Sequence, residues 1–266
     1  MDIQEYLTRS DAQACRHPWE LVRLNFVSAL LDQMLRASGK RDTNLLDLGC
    51  GDGFVCSDLA QQLPRVRFFG VDHAFDDRVL KDCPHLSPLP NLSFHRAIDD
   101  IDVQAGAIDH VLLLDVIEHI DNDLEFLRAL AANELFAAGC RFLITAPAFP
   151  SLFCAHDRIL GHLRRYTARE LESLARQAGM NIESSGSVFF LPLVARMVNA
   201  LGEQLGLMRP PTSTAVACWR RGRAITMSLY WLLRADICVG MKFAKAGVPI
   251  PGLSCYLLCR KRPVSC

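Results

Sequence analysis

Apolar positions along this chain follow two rhythms. Compact runs at 45–48, 66–74, 91–97, 107–120, 140–148, 181–190 and 252–262 read as strands, several of them apolar enough to be buried on both faces. Between them, apolar residues recur at three- and four-residue spacing over 17–37, 54–63, 121–138 and 168–179, the spacing of a helix with one buried face. Gly139 and Gly179 close the last two as stop signals, and the fourth strand is expected to pass directly into its helix. Strands alternating with helices predict an α/β fold on a largely parallel sheet. Before the last strand the alternation breaks, and residues 187–251 form an insertion where the core needs only a connection. Its two apolar segments, 187–208 and 225–241, are interrupted by Pro192, Arg196 and Glu203 and by Arg234 and Asp236. Neither reaches the eighteen or so unbroken apolar residues of a membrane span. They read as amphipathic helices that pack on their own domain, or that form a hydrophobic substrate port or a membrane-facing surface. The joining stretch, 211–223, reads as a surface loop. Its Arg220, Arg221 and Arg223 are either simply solvated or contact an anionic head group or a carrier-protein phosphopantetheine arm.

The most specific chemistry sits where the first strand ends. LLDLGCGDG, Leu45 to Gly53, is an apolar strand running into a turn whose Gly49, Gly51 and Gly53 allow sharp bends and close approach to a ligand. A dinucleotide turn needs G-x-G-x-x-G and tolerates a pyrophosphate. Here Phe54 or Cys56 stands at the third glycine position, and Asp47 and Asp52 would repel phosphate. Carboxylates suit a cation, and S-adenosylmethionine offers a sulfonium, an ammonium and two ribose hydroxyls without any phosphate. Asp72, at the carboxyl end of the second strand, is placed to accept hydrogen bonds from both hydroxyls, or to cap a helix.

With these motifs the chain resembles the class I S-adenosylmethionine-dependent methyltransferases over about 45–180. The resemblance implies a doubly wound, seven-stranded, mainly parallel Rossmann-like sheet, with a helical insertion between the last two strands. It assigns the glycine-rich motif to Asp47–Gly53, the ribose acid to Asp72 and the adenine-flanking loop to Ala97–Asp100. The expected cofactor contacts are Asp47, Gly49, Cys50, Gly51, Asp72, His73, Ala97, Ile98 and Leu114. Within the class, LLLDVIEHIDND, Leu112 to Asp123, is similar to the ubiquinone-biosynthesis O-methyltransferases. These and the small-RNA 2'-O-methyltransferases carry E-x-x-E-H as a magnesium site. Here the first position is Asp115, one methylene shorter, followed by Glu118 and His119.

Spacings of three and four place Asp115, Glu118 and His119 within about one helical turn, close enough to share a divalent ion such as Mg2+; the alternative is that Glu118 and His119 cap the helix. His119 and His156 are the candidate catalytic residues. His156 and Asp157 are a further source of a metal ligand or base, and His162, Arg164 and Arg165 of a grip on an acidic substrate or a pair with Glu170. Thr167 and Glu170 have capping-box spacing.

Composition narrows the partners. Lys plus Arg equals Asp plus Glu at 29 each, so no global field draws the chain to DNA. Its 11 cysteines form no C-x-x-C pair, and no leader pattern opens the chain, which implies a reducing cytoplasmic compartment, at most peripheral to the inner face of a membrane. At 266 residues the expected plan is one domain: an N-terminal helical cap (1–40), a cofactor core (41–186), a helical lid (187–251), then the last strand and tail (252–266). The expected activity is O-methylation of a hydroxyl on a hydrophobic aromatic or polyprenyl-linked small molecule. The rivals are methylation of RNA ends and a non-catalytic binding subunit.

Overall fold

A computed structural model describes residues 16–87, 89–205, 219, 221–248 and 250–262. Helix α1 (Pro18–Ser38) leads into β1 (Thr43–Leu48), α2 (Phe54–Gln62), β2 (Val66–Val71), α3 (Asp77–Asp82), β3 (Leu92–His95) and β4 (Ile108–Leu114). Then follow α4 (Asp123–Ala132), β5 (Phe136–Pro147), α5 (Ala155–Ile159), α6 (Ala168–Gln177), β6 (Met180–Val188), α7 (Phe190–Gln204), α8 (Arg223–Lys245) and β7 (Ser254–Lys261). The seven strands form one sheet in the order β3-β2-β1-β4-β5-β7-β6. All neighbours are parallel except β7, which runs antiparallel to both β5 and β6. This is the doubly wound Rossmann-like sheet that the alternation and the resemblance imply.

Successive side chains of a strand face opposite ways, and the two faces of the sheet build two cores. Leu46, Val111, Leu113, Phe142 and Ile144 pack under α4 and α6 with Leu127 and Leu171. Leu45, Leu112 and Leu143 pack on the other face with Val27, Leu31 and Met34 of α1 and with Leu233 and Ile237 of α8. Every residue of β4 is buried, as befits a central strand covered on both sides.

Two expected elements change. The helix expected over 121–138 ends at Ala132, because Asn133 folds back and its side-chain oxygen accepts the Leu135 N–H at 2.9 Å. Phe136 to Gly139 thereby join β5, with Phe136 buried opposite Ile108. The fourth strand does not run into a helix either. It stops at Leu114, Asp115 takes a left-handed backbone (φ 57°), and a single 3-10 turn covers Ile117–His119. In the insertion, α8 packs against α1, and Asn25 donates to the Tyr230 hydroxyl at 2.9 Å. The start of α7 is tied to α8 by the Leu191 N–H, 3.3 Å from Asp236 Oδ1. Most of the expected 211–223 loop, Arg220 included, lies outside the described residues; Arg221 and Arg223 are exposed.

Candidate functional site

The carboxyl ends of β1, β2 and β4 hold the first half of the site. Beyond β1, the Gly49 and Cys50 N–H groups both donate to Val71 O, at 2.8 and 3.1 Å, which folds the turn over the end of β2. Gly49 has φ 78°, and a Cβ there would stand 2.5 Å from Val116 Cγ2, so this turn accepts only glycine. Asp72 accepts the Gly51 N–H (2.9 Å) and the Ala74 N–H (3.0 Å), one on each oxygen, which orients the carboxylate at the strand edge. His73 beside it projects into solvent, with Nδ1 3.7 Å from Asp72. Ala97 donates to Asp100 at 3.0 Å and opens the short turn carrying Ile98, and Leu114 closes β4. Cys50 is buried, and burial pushes its thiol far above the ordinary range, leaving a small side chain without nucleophilic chemistry.

Asp47 is the telling residue here. It is almost fully buried, and neither carboxylate oxygen has a hydrogen-bond partner among the described residues. Burial pushes its pKa up to about 7, the nearby Arg23 opposes that shift, and Asp72 adds to it. A buried, unpartnered acid is costly unless a cationic ligand completes it. Two arginines that sequence reasoning did not single out stand nearby. Arg16 pairs with Asp52 and, at 2.9 Å, with Glu20, and lies 4.1 Å over the Phe54 ring. Although burial opposes it, the Arg16 charge holds Asp52 below its ordinary range. Arg23 Nη2 is 2.9 Å from Asp115 Oδ2. The strand ends thus bring together two acids, Asp47 and Asp72, with two guanidiniums, Arg16 paired to Asp52 and Glu20 and Arg23 paired to Asp115.

The second half lies past β4 and β5. Glu118 is fully buried, and both its oxygens lack a hydrogen-bond partner among the described residues. Burial, and then the charge of Asp115, pushes its pKa well above the ordinary carboxylate range. Its neighbours are His119 and His162: one donor atom from each of Glu118, His119 and His162 lies within 4.8 Å of the others. The two imidazoles meet edge to face with centroids 5.0 Å apart, and His162 Nε2 is 3.9 Å from Glu118 Oε1.

Asp115 stands outside this group. Its Oδ1 accepts the Thr145 hydroxyl at 2.8 Å and its Oδ2 is taken by Arg23, because the left-handed turn at the end of β4 aims it toward the cofactor side. The third donor is therefore His162, which the sequence placed on a substrate grip. It arrives on the loop after α5, held by Leu163 N–H to Glu118 O at 2.8 Å.

Asp157 sets the orientation of His162, with Oδ1 3.0 Å from Nδ1, so that Nε2 faces Glu118. Arg165 Nε donates to the same carboxylate at 2.8 Å, and Arg196 of α7 approaches it at 3.5 Å. Burial would raise the Asp157 pKa, but the hydrogen bond from His162 and the charge of Arg165 outweigh it and hold the group well below the ordinary range. His156 is not in the convergent group. Burial, and then Arg196, lowers its pKa. Nor do the basic residues of this loop point outward to grip a substrate. Arg164 pairs with Asp123 at 2.9 Å and Arg165 with Asp157, while Glu170 closes a capping box with Thr167 instead of pairing with either.

A family model described as "Methyltransferase domain" matches residues 20–185. Curated relatives include a ubiquinone biosynthesis O-methyltransferase from Maricaulis maris, 26% identical over 206 residues, covering 70% of this chain and 78% of that one. Another protein of that name, from Hydrogenovibrio crunogenus, is 25% identical over 166 residues, covering 57% and 68%. Among solved structures, a protein assigned as a sarcosine dimethylglycine methyltransferase from Galdieria sulphuraria aligns with a TM-score of 0.52 at 15% identity, covering 89% of this chain and 85% of that one. At that identity the likeness is one of fold.

Proposed function

This chain belongs to the methyltransferase domain family and takes S-adenosylmethionine as its cofactor, and we propose that it methylates a hydroxyl of a hydrophobic aromatic or polyprenyl-linked small molecule. The observation that carries the reading is the buried Glu118, its oxygens without a hydrogen-bond partner among the described residues, facing His119 and His162 at the carboxyl edge of the sheet. The names of the curated relatives point the same way.

The cofactor supplies an electrophilic methyl group, and the chain's residues align and tune around it. Asp72 would accept from the ribose hydroxyls, Asp47 would receive the ammonium, Arg23 would meet the carboxylate beside its partner Asp115, and Ile98 and Leu114 would flank the adenine. A phenolic hydroxyl ionises near pH 10, so its proton must be removed or its oxyanion favoured at neutral pH. In the absence of a bound cation His119 is the candidate to accept that proton, with His156, whose pKa burial lowers, as the second. Glu118, His119 and His162 fit a divalent cation, which would favour the acceptor's oxyanion. One carboxylate and two imidazoles suit Mn2+, Fe2+ or Zn2+ better than Mg2+, which prefers oxygen ligands.

Turnover of phenol, catechol and quinol acceptors, assayed with Mg2+, with Mn2+ and with EDTA, tests this. Metal-stimulated methylation of one acceptor class is the expected result. Equal turnover with EDTA removes the cation from the reaction, and strong cofactor binding without methylation of any hydroxyl acceptor removes the acceptor class.

A further inference from the structure

The insertion helices bury one face and leave an apolar one open. In α8, Leu229, Leu233, Ile237 and Met241 recur every fourth residue against the domain. On the opposite side Ile225, Trp231, Leu232, Val239 and Phe243 remain 46% to 55% exposed. Helix α7, packed on α8, leaves Val194, Met197, Val198 and Leu201 between 42% and 56% exposed. Surfaces of this kind mark a partner. The 22 residues Arg223–Ala244 are long and apolar enough to cross a membrane by length and composition. Yet spanning would strip Leu233 and Ile237 from the core they share with α1, so a membrane would meet this helix lying flat.

Charge says what covers the face. Residues 187–251 carry eight Lys or Arg against two Asp or Glu, a net +6 balanced by a net −6 over the rest of a neutral chain. Of the two acids, the half-buried Asp236 is taken by the Leu191 N–H at the start of α7. Arg221, Arg223, Arg234 and Lys242 are exposed, and the Arg234 guanidinium lies 5.1 Å from the Trp231 ring. We propose that the outward faces of α8 and α7 dock onto an anionic lipid bilayer, with the apolar side chains at the acyl boundary and the cations among the head groups. A symmetric dimer through this face would set two such basic surfaces against each other, and a nucleic acid would leave the apolar residues uncovered. The proposal holds whichever acceptor the site takes.

The test is co-sedimentation of the full chain with phosphatidylcholine vesicles with and without phosphatidylglycerol, at low and high salt. S-adenosylhomocysteine binding and size-exclusion profiles are followed in parallel. Binding only to anionic vesicles, weakened by salt, with a blue-shifted emission lost in Trp231→Ser, is the expected result. Arg223→Gln with Arg234→Gln and Lys242→Gln should lower partitioning about a hundredfold, at roughly fivefold for each charge removed, while cofactor binding persists. No binding to either vesicle by protein that still binds S-adenosylhomocysteine overturns the proposal. So does equal binding to both vesicle types, and so does a dimer dispersed by Trp231→Ser.

Discussion

Asp47 and Glu118 are both buried carboxylates without a hydrogen-bond partner among the described residues, and their surroundings differ in kind. Asp47 stands on a strand end beside glycines, with Asp72 and Arg23 as its charged neighbours. That surrounding shapes a space for a small molecule carrying both signs of charge. Glu118 faces two imidazoles, one of them locked by Asp157, a surrounding made of ligand atoms. On the reading proposed above, the same unsatisfied acid serves a cofactor in one place and a cation in the other. Neighbours, not burial, tell them apart.

Separate failure of the two halves is the strongest test of that contrast. Glu118→Gln should cost at least about a hundredfold in metal-stimulated turnover and leave S-adenosylhomocysteine affinity unchanged in calorimetry. Loss of both together would merge the two halves into one. Asp72→Ala should weaken S-adenosylhomocysteine by about 1 to 3 kcal/mol, the penalty for deleting a charged hydrogen-bonding partner. It should not alter the affinity for Mn2+ measured without cofactor. Asp157→Asn should lower that Mn2+ affinity by about tenfold, through the freed His162 ring; an unchanged value would mean that Glu118 and His119 alone hold the ion.

Stability against pH is a separate readout, and there the two signs differ. His110 is buried with neither ring nitrogen hydrogen-bonded among the described residues, and burial lowers its pKa to about 4. The unfolded chain, with a histidine pKa near 6.5, therefore binds the proton first. Stability from this group is intact above about 6.5 and falls as pH drops toward 4, by roughly 3 kcal/mol in all. Asp47 runs the other way. Its raised pKa means that the protein without cofactor loses stability as pH climbs from about 4 to 7, because the unfolded chain ionises first. Thermal midpoints across that range should show Asp47→Asn abolishing the alkaline loss, and His110→Gln reducing the acid one. Over that range the two contributions oppose each other in the parent, so the variants decide: a variant whose pH profile matches the parent's refutes the corresponding assignment.

Much of the cofactor half was legible in advance, because its parts are contiguous or lie one strand apart. A strand, a glycine turn and an acid at the next strand end place one another through local backbone geometry, so Asp47, Gly49, Gly51 and Asp72 meet as the spacing implies. Arg16 and Arg23 carry no such signal. Nothing local to α1 says that Arg16, just ahead of it, reaches Asp52 or that Arg23, within it, reaches Asp115. The acceptor half was legible only as a list of residues. D-x-x-E-H names Asp115, Glu118 and His119, but a left-handed turn at Asp115 replaced the expected helix and sent that carboxylate to Arg23 and Thr145. His162, whose local context suggested a substrate grip, became the third donor.

By itself, then, the chain's pattern of apolar runs and turn residues determined the α/β sheet and its cofactor edge, since strand period, glycine conformation and strand-end chemistry act over a few residues. Only the tertiary structure decided which histidine joins Glu118. His162 is placed by the backbone bond from Leu163 to Glu118, by Asp157 and by Arg165 behind it, contacts between segments up to 45 positions apart. The outward face of α8 was decided there too. Its composition is apolar almost all round, and which side meets the core is settled by α1 packing against it.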